Sequence, residues 1–186
     1  MLIRNTHERW GVVAKALHWL LALAILVMMG LGLLMVDYSD LQTRFQMYFY
    51  HKSLGILILA LVALRLLWRL SNPTPRLPDT TPALERWLAH AGHALLYLLM
   101  LAMPLSGWVI SSASGFGLQV FGLFKLPEIV GADKELQSLA ETVHYWLFWA
   151  LAALVLVHVA AALKHHLIAR DNVLRRMLPG VPAVKE

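Results

Sequence analysis

Four long, mostly apolar stretches alternate along the chain with polar or proline- and glycine-bearing links. They run from about Ala16 to Val36, Tyr48 to Leu70, Trp87 to Ser111 and Val143 to His166. A hydrocarbon core of about 30 Å requires ~20 such residues in a helix, so each stretch predicts a membrane span. The expected fold class is all-α, an integral membrane four-helix bundle, with residues 1–186 forming one domain. Between the second and third spans, Pro73, Pro75 and Pro78 stop any continuing helix. Between the third and fourth, residues 112–139 carry Gly115, Gly117, Gly122 and Gly131. The part of that link from Phe116 to Ile129 is apolar and aromatic with one lysine, and reads as lying along the membrane surface. Ser138-Leu139-Ala140-Glu141 has the capping-box pattern, which predicts that the fourth helix starts there.

Composition agrees with the pattern. Hydrophobic residues make up 59%, mean hydropathy is +0.63, and charged residues are only 15%, against about 25% in soluble domains. The first apolar run lacks a small-residue cleavage site and is expected to stay as a membrane anchor. A net charge of +5 would suggest nucleic acid in a soluble protein. In a membrane protein it reflects basic residues collecting on the cytoplasmic side, and no nucleic-acid partner is expected. With the N-terminus cytoplasmic, that side holds Arg4, Arg9, Lys15, Arg65, Arg69, Arg76, Arg86, Lys164, Arg170, Arg175, Arg176 and Lys185. The other side holds Arg44, Lys52, Lys125 and Lys134. Both termini are therefore expected to be cytoplasmic. The absence of cysteine removes disulfides, thiolate-ligated or covalently attached haem, and iron–sulfur ligation.

The chemistry lies in histidines at membrane depth, where an ionisable group is costly unless paired or coordinated. His158 sits among Leu154, Val155, Leu156, Val157 and Val159, fourteen residues after His144. At ~100° and ~1.5 Å per residue, the two side chains come within ~40° of one another and ~21 Å apart along the axis. One metal ion cannot bridge that distance, whereas two haems, one nearer each surface, suit it. Each iron needs a second imidazole at matching depth from another helix. Topology pairs His18, early in the first span, with His158. It pairs His51, early in the second, with His144. Four such residues favour two haems over isolated hydrogen bonds to backbone or a proton path.

Other residues carry two readings each. Gly55, one turn after His51, would let a flat macrocycle approach the backbone. Arg65 and Arg69 either meet haem propionates or snorkel to the surface. His90 and His93 lie at i and i+3 near the start of the third span, where either could replace His158 opposite His18. Interfacial hydrogen bonding is their plainer role. Met28, Met29, Met35, Met100 and Met103 either pack against a porphyrin or fill gaps. The tryptophans near the span ends are belt anchors.

These segments together resemble the bacterial cytochrome b561 family over nearly the whole chain. The carrying stretches are Ala16-Leu17-His18-Trp19, His51 to Gly55, Arg65 to Pro75, Leu88 to His93, His144 to His158, Ala160 to His166 and Arg170 to Pro179. The resemblance implies a dihaem b-type cytochrome, multi-pass in the inner membrane, that shuttles single electrons. It places axial ligands at His18, His51, His144 and His158. It implies superoxide oxidation on the periplasmic side and delivery of the electrons to ubiquinone, with Lys52 and Lys125 as candidates to attract the anion. Other members serve as electron-relay subunits of dehydrogenases or hydrogenases, which would bring a partner redox subunit. A different class remains open from the residues alone, a haem-free transporter using intramembrane histidines.

Overall fold

The computed structural model describes residues 2–180. Helix α1 spans Val12–Val36, α2 Leu41–Leu70, α3 Ala83–Ala113 and α4 Lys134–Lys164. All four are long and apolar enough to cross a membrane. Each begins earlier than its apolar run, and for α2 and α4 an aspartate cap sets the start. Asp40 accepts the Thr43 N–H at 2.8 Å and opens α2. Asp133 accepts the N–H groups of Glu135 and Leu136 at 2.9 and 3.0 Å and opens α4. These are orphan donors of a first turn satisfied by a side chain. The helix start expected at Ser138 is thus corrected to Lys134, and Ser138 already accepts the Thr142 hydroxyl from within the helix.

Contacts between distant residues define two ends of the bundle. At one end the start of α1, the end of α2, the start of α3 and the end of α4 meet. Arg65 Nη1 donates to the Ala14 carbonyl at 3.2 Å, and Lys164 pairs with Glu85 at 2.8 Å. The first residues fold onto the same end, where Asn5 donates to Pro73 O at 3.1 Å and accepts from Gly11 N at 2.9 Å. Gly11 has no room for a side chain, since a Cβ would stand 2.3 Å from the Ile3 carbonyl oxygen. After a π-turn at His165–Ala169 comes the short helix α5, Val173–Met177, whose end meets the start of α1. There Trp19 Nε1 donates to Met177 O at 2.9 Å and Lys15 to Leu178 O at 3.1 Å.

The opposite end is closed by a hairpin, a local departure from the all-α expectation. Strands β1, Leu118–Val120, and β2, Phe124–Leu126, pair antiparallel with Leu118 facing Leu126. Three fully buried serines, Ser53, Ser111 and Ser112, hold this link down. Ser53 Oγ donates to Gln119 O at 3.2 Å and accepts from Phe121 N at 3.0 Å. Ser111 Oγ donates to Gly117 O at 2.7 Å, and Ser112 Oγ accepts from Ile129 N at 3.3 Å.

The packed core is small: Leu21, Ile58 and Val62, with Ala24, Ile25, Met28, Leu61, Tyr97, Met100 and Leu101 around them. Large apolar side chains such as Leu23, Leu98 and Leu156 point outward instead. That inversion is stable only where lipid replaces water, since the helices satisfy their own backbone hydrogen bonds. Packing is also uneven. Helix α4 lies along α3 and makes no comparable contact with α1 or α2, whereas α1–α2 and α2–α3 pack along one another. A cleft therefore separates α4 from α1 and α2.

Candidate functional site

The histidines face one another across that cleft. His18 on α1 and His158 on α4 have ring centroids 6.2 Å apart, at an interplanar angle of 67°. His51 on α2 and His144 on α4 stand 6.3 Å apart at 70°. The helical period puts His144 and His158 on one face of α4, and the antiparallel helix order brings each partner to the matching depth. The two separations agree to 0.1 Å although they join different helices.

That distance suits an iron between the rings. A nitrogen–metal bond of about 2 Å on either side, plus a little over 1 Å from each nitrogen to its ring centre, separates trans imidazoles by roughly 6 Å. Among the described residues no three His, Asp or Glu side chains converge on one ion position. Two glycines close in sequence to His51 and His93 have open space at their own positions. A Cβ at Gly55 would meet only Met28 Cε, at 4.0 Å, and one at Gly92 would meet nothing within 4 Å.

The structure adds residues to the site that hydropathy and spacing did not single out. Gly32 of α1 backs the His51 ring, where a Cβ would lie 3.3 Å from its Cε1. Gly107 of α3 backs His144 in the same way at 3.5 Å. Ser106 Oγ lies 2.8 Å from His144 Nδ1 and 2.7 Å from the Met103 carbonyl. His51 Nδ1, by contrast, is buried without a hydrogen-bond partner. A polar serine within an apolar span was the available signal for Ser106. Gly32 is indistinguishable in sequence from Gly30, beside which the structure shows open space.

His93 also reaches the site. Its ring centroid is 5.5 Å from that of His158, and its Nδ1 donates to the Ala89 carbonyl at 2.6 Å. His90 is exposed and makes no ring contact. Arg65 Nε donates to the Tyr97 hydroxyl at 3.1 Å, and Arg69 lies over the Tyr97 ring at 5.8 Å from its centre. Both arginines line a small cavity with Trp10, Trp68 and Asn5, and the Trp68 indole N–H is buried there without a partner. At the opposite end Lys125 is paired with Glu128 at 2.9 Å, while the half-buried Lys52 has no ion-pair partner among the described residues.

Four membrane-length helices with facing histidine pairs across an internal cleft define the architecture of a membrane cytochrome. The chain belongs to the prokaryotic cytochrome b561 family, whose pattern it matches over residues 9–180. It is 41% identical over 180 residues to "Cytochrome b561 homolog 2" of Escherichia coli (strain K12), covering 96% of this chain and 95% of that protein. It is 30% identical over 173 residues to "Probable superoxide oxidase CybB" of Yersinia pestis, covering 93% and 97%. With "Cytochrome b561 homolog 1" of Escherichia coli (strain K12) it shares 32% over 131 residues, 69% and 73% of the two chains. The protein is thus a multi-pass bacterial inner-membrane protein of an electron-transferring, haem b-binding family.

Proposed function

We propose that the chain holds two haem b groups, one between His18 and His158 and one between His51 and His144, and passes single electrons between them across the bilayer. The observation that carries this is the pair of matched ring separations, 6.2 and 6.3 Å, in a cleft that helix packing leaves open. Bound haem supplies a one-electron ferric/ferrous couple. The chain supplies the rest. Its four histidines fix the position and orientation of each group, and Gly32 and Gly107 let neighbouring helices press against two of them. The apolar helices exclude water. Arg65 and Arg69 offer guanidinium donors to propionates at one end.

In this reading the end that carries the start of α1 and helix α5 is cytoplasmic, in accord with its share of the basic residues. The periplasmic end oxidises superoxide and the cytoplasmic end reduces ubiquinone. The relative named as a superoxide oxidase supports that choice, and so does the unneutralised Lys52 beside His51. Lys125 contributes less, because Glu128 compensates its charge. The test is a dithionite-reduced spectrum of the purified chain with haem quantified per polypeptide, followed by quinone reduction under a superoxide flux. Two haems per chain and superoxide-dependent quinol formation are expected. A haem-free chain would refute the cytochrome reading. Two haems without quinol formation would refute the substrates alone.

A further inference from the structure

His51 and His144 face the same gap but are held differently. The Met103 carbonyl can only accept, so its 2.7 Å contact with Ser106 Oγ requires the hydroxyl proton. The 2.8 Å contact with His144 is then a hydrogen bond in which His144 Nδ1–H donates to Ser106 Oγ. This fixes the tautomer of His144 and leaves the lone pair on Nε2. A hydrogen bond to the distal N–H of a ligating imidazole makes that ligand more basic, which favours the more highly charged metal state. The neighbouring His51 Nδ1 is buried with no such partner.

The other site has a different neighbour. Arg65 is held between the Ala14 carbonyl, one turn before His18, and the Tyr97 hydroxyl, one turn after His93. Both partners are neutral, and no carboxylate among the described residues pairs with the guanidinium. These two anchors, on the helices that carry His18 and His93, hold the guanidinium at the His18–His158 end of the bundle. At the other pair the cation nearest in sequence is Lys52 beside His51, which no hydrogen bond or ion pair among the described residues holds in place, whereas two hydrogen bonds hold Arg65. A fixed positive charge in a low-dielectric setting favours the metal state of lower charge. Haems at both sites bring the same propionates, so the guanidinium remains a difference between them.

We infer that Ser106 and Arg65 bias the two sites in opposite senses, making the His51–His144 site the internal electron donor and the His18–His158 site the acceptor. The inference rests on the two-haem reading above. With haem bound at both sites, His51 and His144 would hold the group that gives up one electron and His18 and His158 the group that takes it. No covalent bond changes and no proton moves. Ser106 is a positioning residue, acting through His144.

The experiment is a spectroelectrochemical titration of the full-length, haem-loaded protein and of variants that each retain one site. His158→Ala should keep the lower midpoint and His51→Ala the higher. Ser106→Ala should raise the lower midpoint, by up to roughly tenfold in the reduction equilibrium (~59 mV for one electron), and leave the higher one in place. Ser106→Thr, which keeps the hydroxyl, should restore it. Arg65→Gln should lower the higher midpoint alone. The inference is overturned if His158→Ala retains the higher midpoint, or if Ser106→Ala at full haem content moves neither. Fewer than two haems in the unmodified protein would instead remove the reading beneath it.

Discussion

The His93 ring lies closer to His158 than His18 does, 5.5 Å against 6.2 Å between centroids. Under the proposed pairing His18, and not His93, would share an iron with His158, since two bonds of about 2 Å need roughly the wider gap. His93 also donates its Nδ1 proton back to Ala89, one turn earlier in its own helix. It is a neighbour of the site that joins the third helix to the fourth by a ring contact.

The first prediction follows from this geometry. His93→Ala should retain two haems per chain, whereas His158→Ala and His18→Ala should each retain one. Haem quantification on purified variants decides it. Loss of a haem in His93→Ala, with both kept in His158→Ala, would reassign the pair.

Gly32 and Gly30 give a paired test of the other site. A side chain at 32 would press on His51 from 3.3 Å, while position 30 is open. Overpacking of this kind costs about 1–3 kcal/mol. Gly32→Val should displace His51, lower thermal stability and shed the haem held with His144. Gly30→Val should change neither property. Pyridine haemochrome assays and melting curves provide the readout.

Ser53 ties the hairpin to the second helix through two hydrogen bonds in a fully buried position. Ser53→Ala leaves the Phe121 N–H without its acceptor, at a cost of about 1–3 kcal/mol. Faster amide exchange and easier proteolysis should be confined to the hairpin, with haem content retained. A uniform loss of protection across all four helices would show that Ser53 supports the whole bundle instead.

Lys52 and Lys125 separate through their partners. Lys125→Gln removes a charge that Glu128 already offsets, and should scarcely alter the rate of reaction with superoxide. Lys52→Gln should slow it several-fold at low ionic strength and less at high salt, because steering is screened over about 10 Å at 0.1 M. Stopped-flow reduction of the protein by superoxide measures both. Equal rates in all three proteins would remove Lys52 from the encounter.

The four spans were legible from the sequence because solvent alone dictates them: a helix facing lipid must be apolar over a fixed length. The positions of the prolines and the one-face spacing of His144 and His158 were equally local. The ends of the helices were less so. The capping-box pattern at Ser138 competed with Asp133, and the acid one residue before the observed start was the stronger cap. The α3–α4 link was seen to be apolar, yet its hairpin depended on Ser53, Ser111 and Ser112 from helices distant in sequence.

Sequence thus determined what each segment would do in a bilayer, and which residues would be expensive to leave there. Depth, which follows from counting residues along each helix, was enough to propose which histidines should meet. Only the tertiary structure decided how far apart they stand, that α4 keeps off α1 and α2, and that Ser106, Gly32 and Gly107 support the rings. The reason is physical. Rise and period are properties of a single helix, but the rotation of one helix against another is set by side-chain packing between them, and the hydrophobic pattern that identifies a span is nearly silent about that.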